Sequence, residues 1–541
     1  MKKLFTLILL GILFFPRLNA QSFVKAVFPG DRFETVLGNQ VPFSPFTFFA
    51  DNTVLSDGAG VLAYLSFVER GPVEKNYLTL YKIDSNGDSV WTRSMDLGDS
   101  HILRHELPIL TSTQDGGFLL FSIISSNGDL FYLLQKFNGG GSLIWSKRLE
   151  LAPSINPFPL NSFERPDGRL TFAFKVETNS HSNGVIDYSG LLLFDFDGDG
   201  NFLEKKYYLR SQGSEYSFLY DAKMDATGGI YAVGYEDLRN PHSSTLHNYN
   251  PLVLRIDSAD NLSFSKILDG GEDFQATELT MLGGKALVGI TGFFPLVLTE
   301  IDGSGNLSYT HILEEDGYAL DEHQPYRMVE TSFGASIFAV SPSFNQDVTL
   351  DLSEGFSASI IRLDVDDKGD VFRTQGQNGG NFLHRGLGAA SDGGSNIQLA
   401  YPTYYLEEPI GGSDFIRGFH LSRVFPLPDP GSLCYGPVLD TREIPGSFSE
   451  SNANFQGPLN PSQASSLIGT IPNFHSIVSD SYSVVDDSSV MITFCNSSAA
   501  QPFTKEDEGD VATKDNNEIF RTYPSPFRQR MTLEMTSGIA E

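Results

Sequence analysis

Positive charge is scarce in this chain of 541 residues: 37 lysines and arginines stand against 67 aspartates and glutamates, for a formal net charge of -30. A surface of that sign repels a phosphate backbone, so nucleic acid is excluded as a partner. Cysteine is scarcer still, with two residues, Cys434 and Cys495, and no close pair of the zinc-binding type. The strings that carry familiar chemistries are also missing. There is no H-E-x-x-H helix, no G-x-S-x-G elbow and no P-loop, and His105-Glu106 lacks a second histidine. Adjacent acids such as Glu407 and Glu408 suit glycoside chemistry in principle, but in so acidic a chain they read as solvated surface. An enzyme is therefore not the first expectation. After residue 20 no segment has the roughly 20 apolar residues of a membrane helix, so no integral membrane segment is expected in the mature chain.

The chain opens "MKKLFTLILLGILFFPRLNA", with two lysines, an apolar run from Leu4 to Phe15 and the small Ala20. This pattern is that of a secretory signal peptide over residues 1–20, too short and wrongly flanked to remain in a bilayer.

What the rest of the chain has in quantity is repetition. The segments "IDSNGDSVW" at Asp84, "FNGGGSLIW" at Asn138, "FDGDGNFLE" at Asp197, "IDSADNLSF" at Asp257, "IDGSGNLSY" at Asp302 and "LDVDDKGDVF" at Asp364 recur 45 to 62 residues apart. Each lies between two apolar runs of period two, and the Asp-x-x-Gly centre supplies a turn, so each is predicted to be a β-hairpin. A glycine turn precedes each hairpin, at Gly60, Gly117, Gly168, Gly229, Gly284 and Gly334, with a seventh at Gly394. A complete unit thus holds four strands. Four antiparallel strands per repeat of about 50 residues point to propeller blades. The expected fold is all-β: a seven-bladed β-propeller of four-stranded blades over residues 21–430. The seventh unit lacks a fourth strand, and Phe23 to Phe28 is expected to supply it by pairing near Phe419 to Phe425, which closes the ring.

In this topology the short glycine and aspartate turns share one face, and the long irregular insertions lie on the other. The aspartates are expected to shape turns, and Trp91 and Trp145 to cover blade surfaces. Insertions on a rigid scaffold are where recognition resides. They carry Tyr188, Tyr235, His242, His247, Tyr249, Tyr404 and Tyr405, aromatic and hydrogen-bonding groups that suit an extracellular glycan or a protein partner. No cofactor is expected, with calcium at the acidic string Asp195 to Asn201 as the one candidate. That string is not an EF-hand, because its twelfth position is Lys206.

Residues 431–503 are predicted to form a small β module, with a disulfide between Cys434 and Cys495 in an exported chain, or two free thiols as the alternative. An acidic linker follows over 504–518. Then Tyr523-Pro524-Ser525-Pro526-Phe527, followed by alternating Met531-Thr532-Leu533-Glu534, resembles the opening of the C-terminal sorting domain of Bacteroidota type IX secretion cargo, where Tyr-Pro-Asn-Pro-Phe is usual. Residues 519–541 would form a partial, truncated β sorting domain, and the blade pattern is similar to that of propellers among such cargo. The resemblance implies Sec-dependent export, contact of Tyr523, Pro524, Pro526 and Phe527 with the type IX machinery, and release or attachment at the surface of a Gram-negative cell. The sequence reading is therefore a secreted or surface binding protein. A polysaccharide-active hydrolase or lyase and a passive structural or adhesive spacer are the alternatives.

Overall fold

The structure is a computed structural model that describes residues 22–29, 47–70, 73–97, 101–102, 108–126, 129–150, 157–180, 185–210, 216–237, 249–270, 274–292, 296–315, 326–342, 357–368, 370–381, 388–391, 397–406, 415–424, 441–445, 448–460, 462–463, 476–479, 484–487 and 489–497. Its elements are β-strands, and among the described residues no helix is long and apolar enough to cross a membrane. The chain divides into a unit of Ala20–Asn496, which holds the propeller, and a unit of Met1–Asn19 with Ser497–Glu541. The expected signal peptide, linker and sorting motif at Tyr523, Pro524, Pro526 and Phe527 lie outside the described residues.

Local turn chemistry builds each blade. In the second repeat, Ile109–Ser112, Phe118–Ser126, Asp129–Phe137 and Leu143–Glu150 pair antiparallel in succession. The first turn closes through Gly116 N donating to Thr113 O at 3.0 Å. In the last hairpin, Asn138 Oδ1 accepts from Gly140 N and Ser142 N, both at 3.0 Å. The carboxylates of Asp84, Asp197, Asp257 and Asp302 do the same in their own turns. In the sixth repeat this residue is Asp366, not the expected Asp364. Asp364 sits two residues earlier, buried, and accepts from Ser336 Oγ and Arg362 Nε.

Among the described residues, six sheets carry five strands or more and one, running from Tyr326–Thr331 to Val371–Asn381, carries four. Their innermost strands touch in a cycle: Thr47–Val54, Ile109–Ser112, Phe158–Glu164, Tyr216–Met224, Phe274–Leu282, Tyr326–Thr331, Gly388–Ser391 and back to Thr47–Val54. The sheets therefore form a closed β-propeller. The cycle depends on the N-terminus, because Ser22–Pro29 pairs antiparallel with Phe415–Val424, with Phe23 opposite Arg423 and Val27 opposite Phe419.

Among the described residues of 431–503, the strands do not pair with one another as the expected separate β module would require. They instead join the ring one at a time. Thr441–Pro445 adds to the outer strand Leu307–Glu315, Ser449–Asn452 to Leu262–Asp269, and Phe455–Leu459 to Phe202–Arg210. Then Ser476–Ser479 adds to Leu143–Glu150, Val484–Asp487 to Ser89–Asp96, and Ser489–Ser497 to the N-terminal strand. This segment is a belt that visits the blades in reverse order. Outer strands have unpaired backbone groups on one side, and each belt strand satisfies a row of them. Apolar side chains anchor it: Ala453 and Phe455 are buried with Tyr208, Leu219 and Ile267, and Phe448 lies edge-on to Phe274 at 5.9 Å. Cys495 is on the last belt strand, while Cys434 lies outside the described residues, as does any pairing between them.

Apolar clusters fill the spaces between successive sheets. Trp91 and Trp145 are joints in these seams. A Cβ on Gly141 would come within 3.0 Å of the Trp91 ring, and one on Gly200 within 2.7 Å of Trp145. Both glycines also hold φ near +78°, so the turn and the aromatic contact impose the same residue.

Candidate binding cavity

The innermost strands are not regular. Each of four has a bulge, between Phe49 and Asp51, Pro159 and Asn161, Leu219 and Asp221, and Ala276 and Glu278. A bulge turns the side chain that follows it, and here that side chain is Asp, Asn, Asp or Glu. Each reaches towards a neighbouring blade. Leu110 N donates to Asp51 Oδ2 at 2.9 Å, Asn161 Nδ2 donates to Ala222 O at 2.8 Å, Leu279 N donates to Asp221 Oδ2 at 3.2 Å, and Arg327 Nη1 donates to Glu278 Oε2 at 3.0 Å.

These residues line a cavity of about 930 Å³ on the ring axis, together with Lys223 and Arg327. Lys223 Nζ lies 3.7 Å from Asp221 Oδ2. Burial, reinforced by the Asp221 charge and only partly offset by Arg327 and Lys223, pushes the Glu278 carboxyl up to about 7. Asp51 is raised as well, chiefly by burial. Arg327 is held above its ordinary value by the charge of Glu278. Burial acts against the charge of Lys223, yet Asp221 and Glu278 raise it.

One wall is aromatic. Tyr220 is 40 % exposed, with its ring centroid 4.8 Å from Phe218 and 5.7 Å from Tyr235. Its hydroxyl donates to Gln275 Oε1 at 2.8 Å. Tyr235 stacks on Phe218 at 5.6 Å and meets Tyr249 edge-on at 4.7 Å. Lys175 Nζ sits 3.1 Å from the centre of Phe218 and 4.4 Å from that of Phe158, a cation–π arrangement.

Two of the residues expected from sequence, Tyr235 and Tyr249, thus come together beside the cavity, where the second and third strands of their blade meet the insertion. Tyr188 is placed by backbone alone, opposite Thr178, as are Tyr404 and Tyr405, opposite Arg417 and Ile416. His242 and His247 lie outside the described residues. Phe218, Tyr220 and the charged group were missed because they lie in strands, not in long loops. A signal existed: Asp51, Asn161 and Asp221 each stand seven residues before a positive-φ glycine, Gly58, Gly168 and Gly228.

A second charged cluster lies on the turn face. Asp195, Glu204 and Asp260 place carboxylate oxygens within 4.8 Å of one another. Cations already stand among them: Arg165 Nη1 is 2.6 Å from Asp260 Oδ1, Lys206 Nζ 2.6 Å from Asp260 Oδ2, and Arg169 Nη1 3.1 Å from Asp195 Oδ2. The acidic string Asp195 to Asn201 is divided, since Asp195 belongs to this cluster while Asp197 accepts from Asp199 N and Asn201 N in its own turn.

No protein-family model and no curated protein matches this chain. Among solved structures, a protein of unknown function from Dyadobacter fermentans is 12% identical, covering 75% of this chain and 98% of its own, with a TM-score of 0.35. An alpha-L-arabinanase of Penicillium chrysogenum complexed with arabinobiose is 11% identical over 75% of this chain and 98% of its own, with a TM-score of 0.39. A putative glycosidase from Bacteroides thetaiotaomicron is 10% identical over 50% of this chain and 88% of its own, with a TM-score of 0.26. At these scores no site or activity transfers. The class defined by the strands themselves is an all-β propeller with a peripheral belt.

Proposed function

We propose that this protein is exported and binds a carbohydrate, at the cell surface or outside the cell, in the axial cavity with Tyr220 as its stacking platform. The observation that carries this reading is the state of the Tyr220 ring, exposed yet held by its hydroxyl and by two aromatic neighbours. An immobilised ring beside a cavity lined by donors and acceptors suits a sugar, whose ring face is apolar and whose hydroxyls need both kinds of partner. The reading of the sheets as seven blades of one ring draws support from the cyclic contact of the inner strands and from the N-terminal closing strand. Delivery by Sec and then the type IX machinery rests on the leader and on Tyr523 to Phe527.

A glycan array followed by titration calorimetry tests the reading. Tyr220→Ala should weaken binding about tenfold or more, the size of a lost aromatic stacking contact, at a cost in folding stability of about 1 to 2 kcal/mol from the lost packing on Phe218 and Tyr235. An array without a hit, or an unaltered affinity in the variant, refutes it. The elevated Glu278 carboxyl favours one second reading, proton donation to a glycosidic oxygen. A reducing-end assay on polysaccharides, comparing the natural protein with Glu278→Gln, separates cleavage from binding.

A further inference from the structure

The cavity wall is unbalanced in charge. Among the described residues lining it are five carboxyl groups, Asp51, Glu164, Asp221, Glu278 and Glu330, of which Glu278 is only partly ionised near neutrality, against three cations, Lys175, Lys223 and Arg327. The imbalance lies within a molecule whose net charge is already -30, so the surrounding field draws cations towards the opening and repels anions. Aromatic faces line the same wall, and the Lys175 ammonium against Phe158 and Phe218 shows that these rings accept a cation at close range.

Resting on the carbohydrate reading above, we propose that the glycan taken by this cavity carries protonated amino groups, as in a chain of glucosamine units, and that its ammonium groups bind against the carboxylates of the inner strands while a sugar face stacks on Tyr220. A neutral sugar would leave the carboxylate excess uncompensated, and an acidic one would add to it. The charged groups acting on Glu278 are Arg327, Asp221 and Lys223. Its partner across the adjoining strand, Gly289, brings no charge. Because Glu278 retains a proton near neutrality, an arriving ammonium favours the carboxylate and releases that proton: the carboxylic acid and ammonium become an ion pair and one proton leaves to solvent.

The test is calorimetric titration of the full chain with glucosamine oligomers and with N-acetylglucosamine oligomers of equal length, repeated in two buffers of different ionisation enthalpy and at raised salt. The glucosamine series should bind about tenfold more tightly or better, the size of one effective ion pair. Its affinity should fall with salt, and binding should release a fraction of a proton near neutral pH. Glu278→Gln should abolish the proton release and narrow the preference. Equal or tighter binding of the acetylated series overturns the amine proposal and leaves the carbohydrate reading standing. If neither series binds while a neutral or acidic glycan does, the amine proposal fails alone. Binding of no glycan at all removes both. Since the main comparison uses the natural protein, a variant that fails to fold does not rescue the idea.

Discussion

At the scale of single residues, Glu278 shows how position sets chemistry. A glutamate on an exposed strand would ionise near 4.5, but the bulge at Ala276 turns this one into the ring interior. Its folded value, about 7, lies above the ordinary one, which determines the sign of its effect on stability. The folded state binds the proton more tightly than the unfolded state. The contribution is therefore fully present below about pH 4.5 and is lost as pH rises through about 7. Urea midpoints for the natural protein and Glu278→Gln, measured in steps from pH 5 to 7.5, check this. The stability of the natural protein relative to the variant should decline across that window, and a flat difference would contradict it. Asp260 has the opposite sign. Burial works against its charge, but Lys206 and Arg165 hold it below the ordinary carboxylate value. Its contribution is present at neutral pH and lost only in acid, as pH falls through that lowered value.

At the scale of elements, the seams from the first blade to the fifth follow a rule, among the described residues, with one exception. Trp91 meets Gly141, Trp145 meets Gly200 and Phe264 meets Gly305, each aromatic lying four residues after the positive-φ turn residue of its own hairpin, Gly87, Gly141 and Asp260 respectively. Between the third and fourth blades the aromatic position holds Glu204 and the glycine position holds Asp260, with φ of 66°. Both positions of the contact thus differ from those of the other seams, and Arg165, Arg169 and Lys206 occupy this one. Asp260→Gly would relieve a left-handed backbone at a gain of about 1 kcal/mol. It would also strip the partner from Arg165, which is 2 % exposed, and leaving a buried charge unpaired costs about 3 to 5 kcal/mol. The second effect wins, so the variant should be destabilised by about 2 to 4 kcal/mol in chemical denaturation. A neutral or stabilising outcome would mean that the cluster does not hold the seam. These elements were legible to different degrees. The hairpins could be read directly, since Asp84, Asn138 and Asp302 bond to backbone groups two and four residues away. The belt could not, because strands such as Ser449–Asn452, exposed throughout, bear no alternation, and their pairing depends on an edge made 180 to 186 residues earlier. Likewise Tyr220 in sequence is one more strand aromatic, and nothing there marks it as the extra residue of the bulge between Leu219 and Asp221.

At the scale of the whole molecule, the two ends of the propeller unit hold each other. Ser22–Pro29 lies between Phe415–Val424 on one side and the last belt strand, Ser489–Ser497, on the other. A ring closed by one strand opens when that strand leaves, so the strength of the closure depends on what covers the strand. Without the belt, Ser22–Pro29 would be an outer edge with a row of unsatisfied backbone groups, the element most prone to fray and to pair with another chain. With it, the strand is bonded on both sides. A chain ending after Asp487 should keep the cavity, since none of the inner strands is touched, but lose this cover. Hydrogen exchange read by mass spectrometry should then show reduced protection in residues 22–29, well beyond any change in the inner strands Tyr216–Met224 and Phe274–Leu282. Light scattering should show concentration-dependent self-association through the newly exposed edge. If protection of residues 22–29 is unchanged and the shortened chain stays monodisperse, the belt does not guard the closure of the ring.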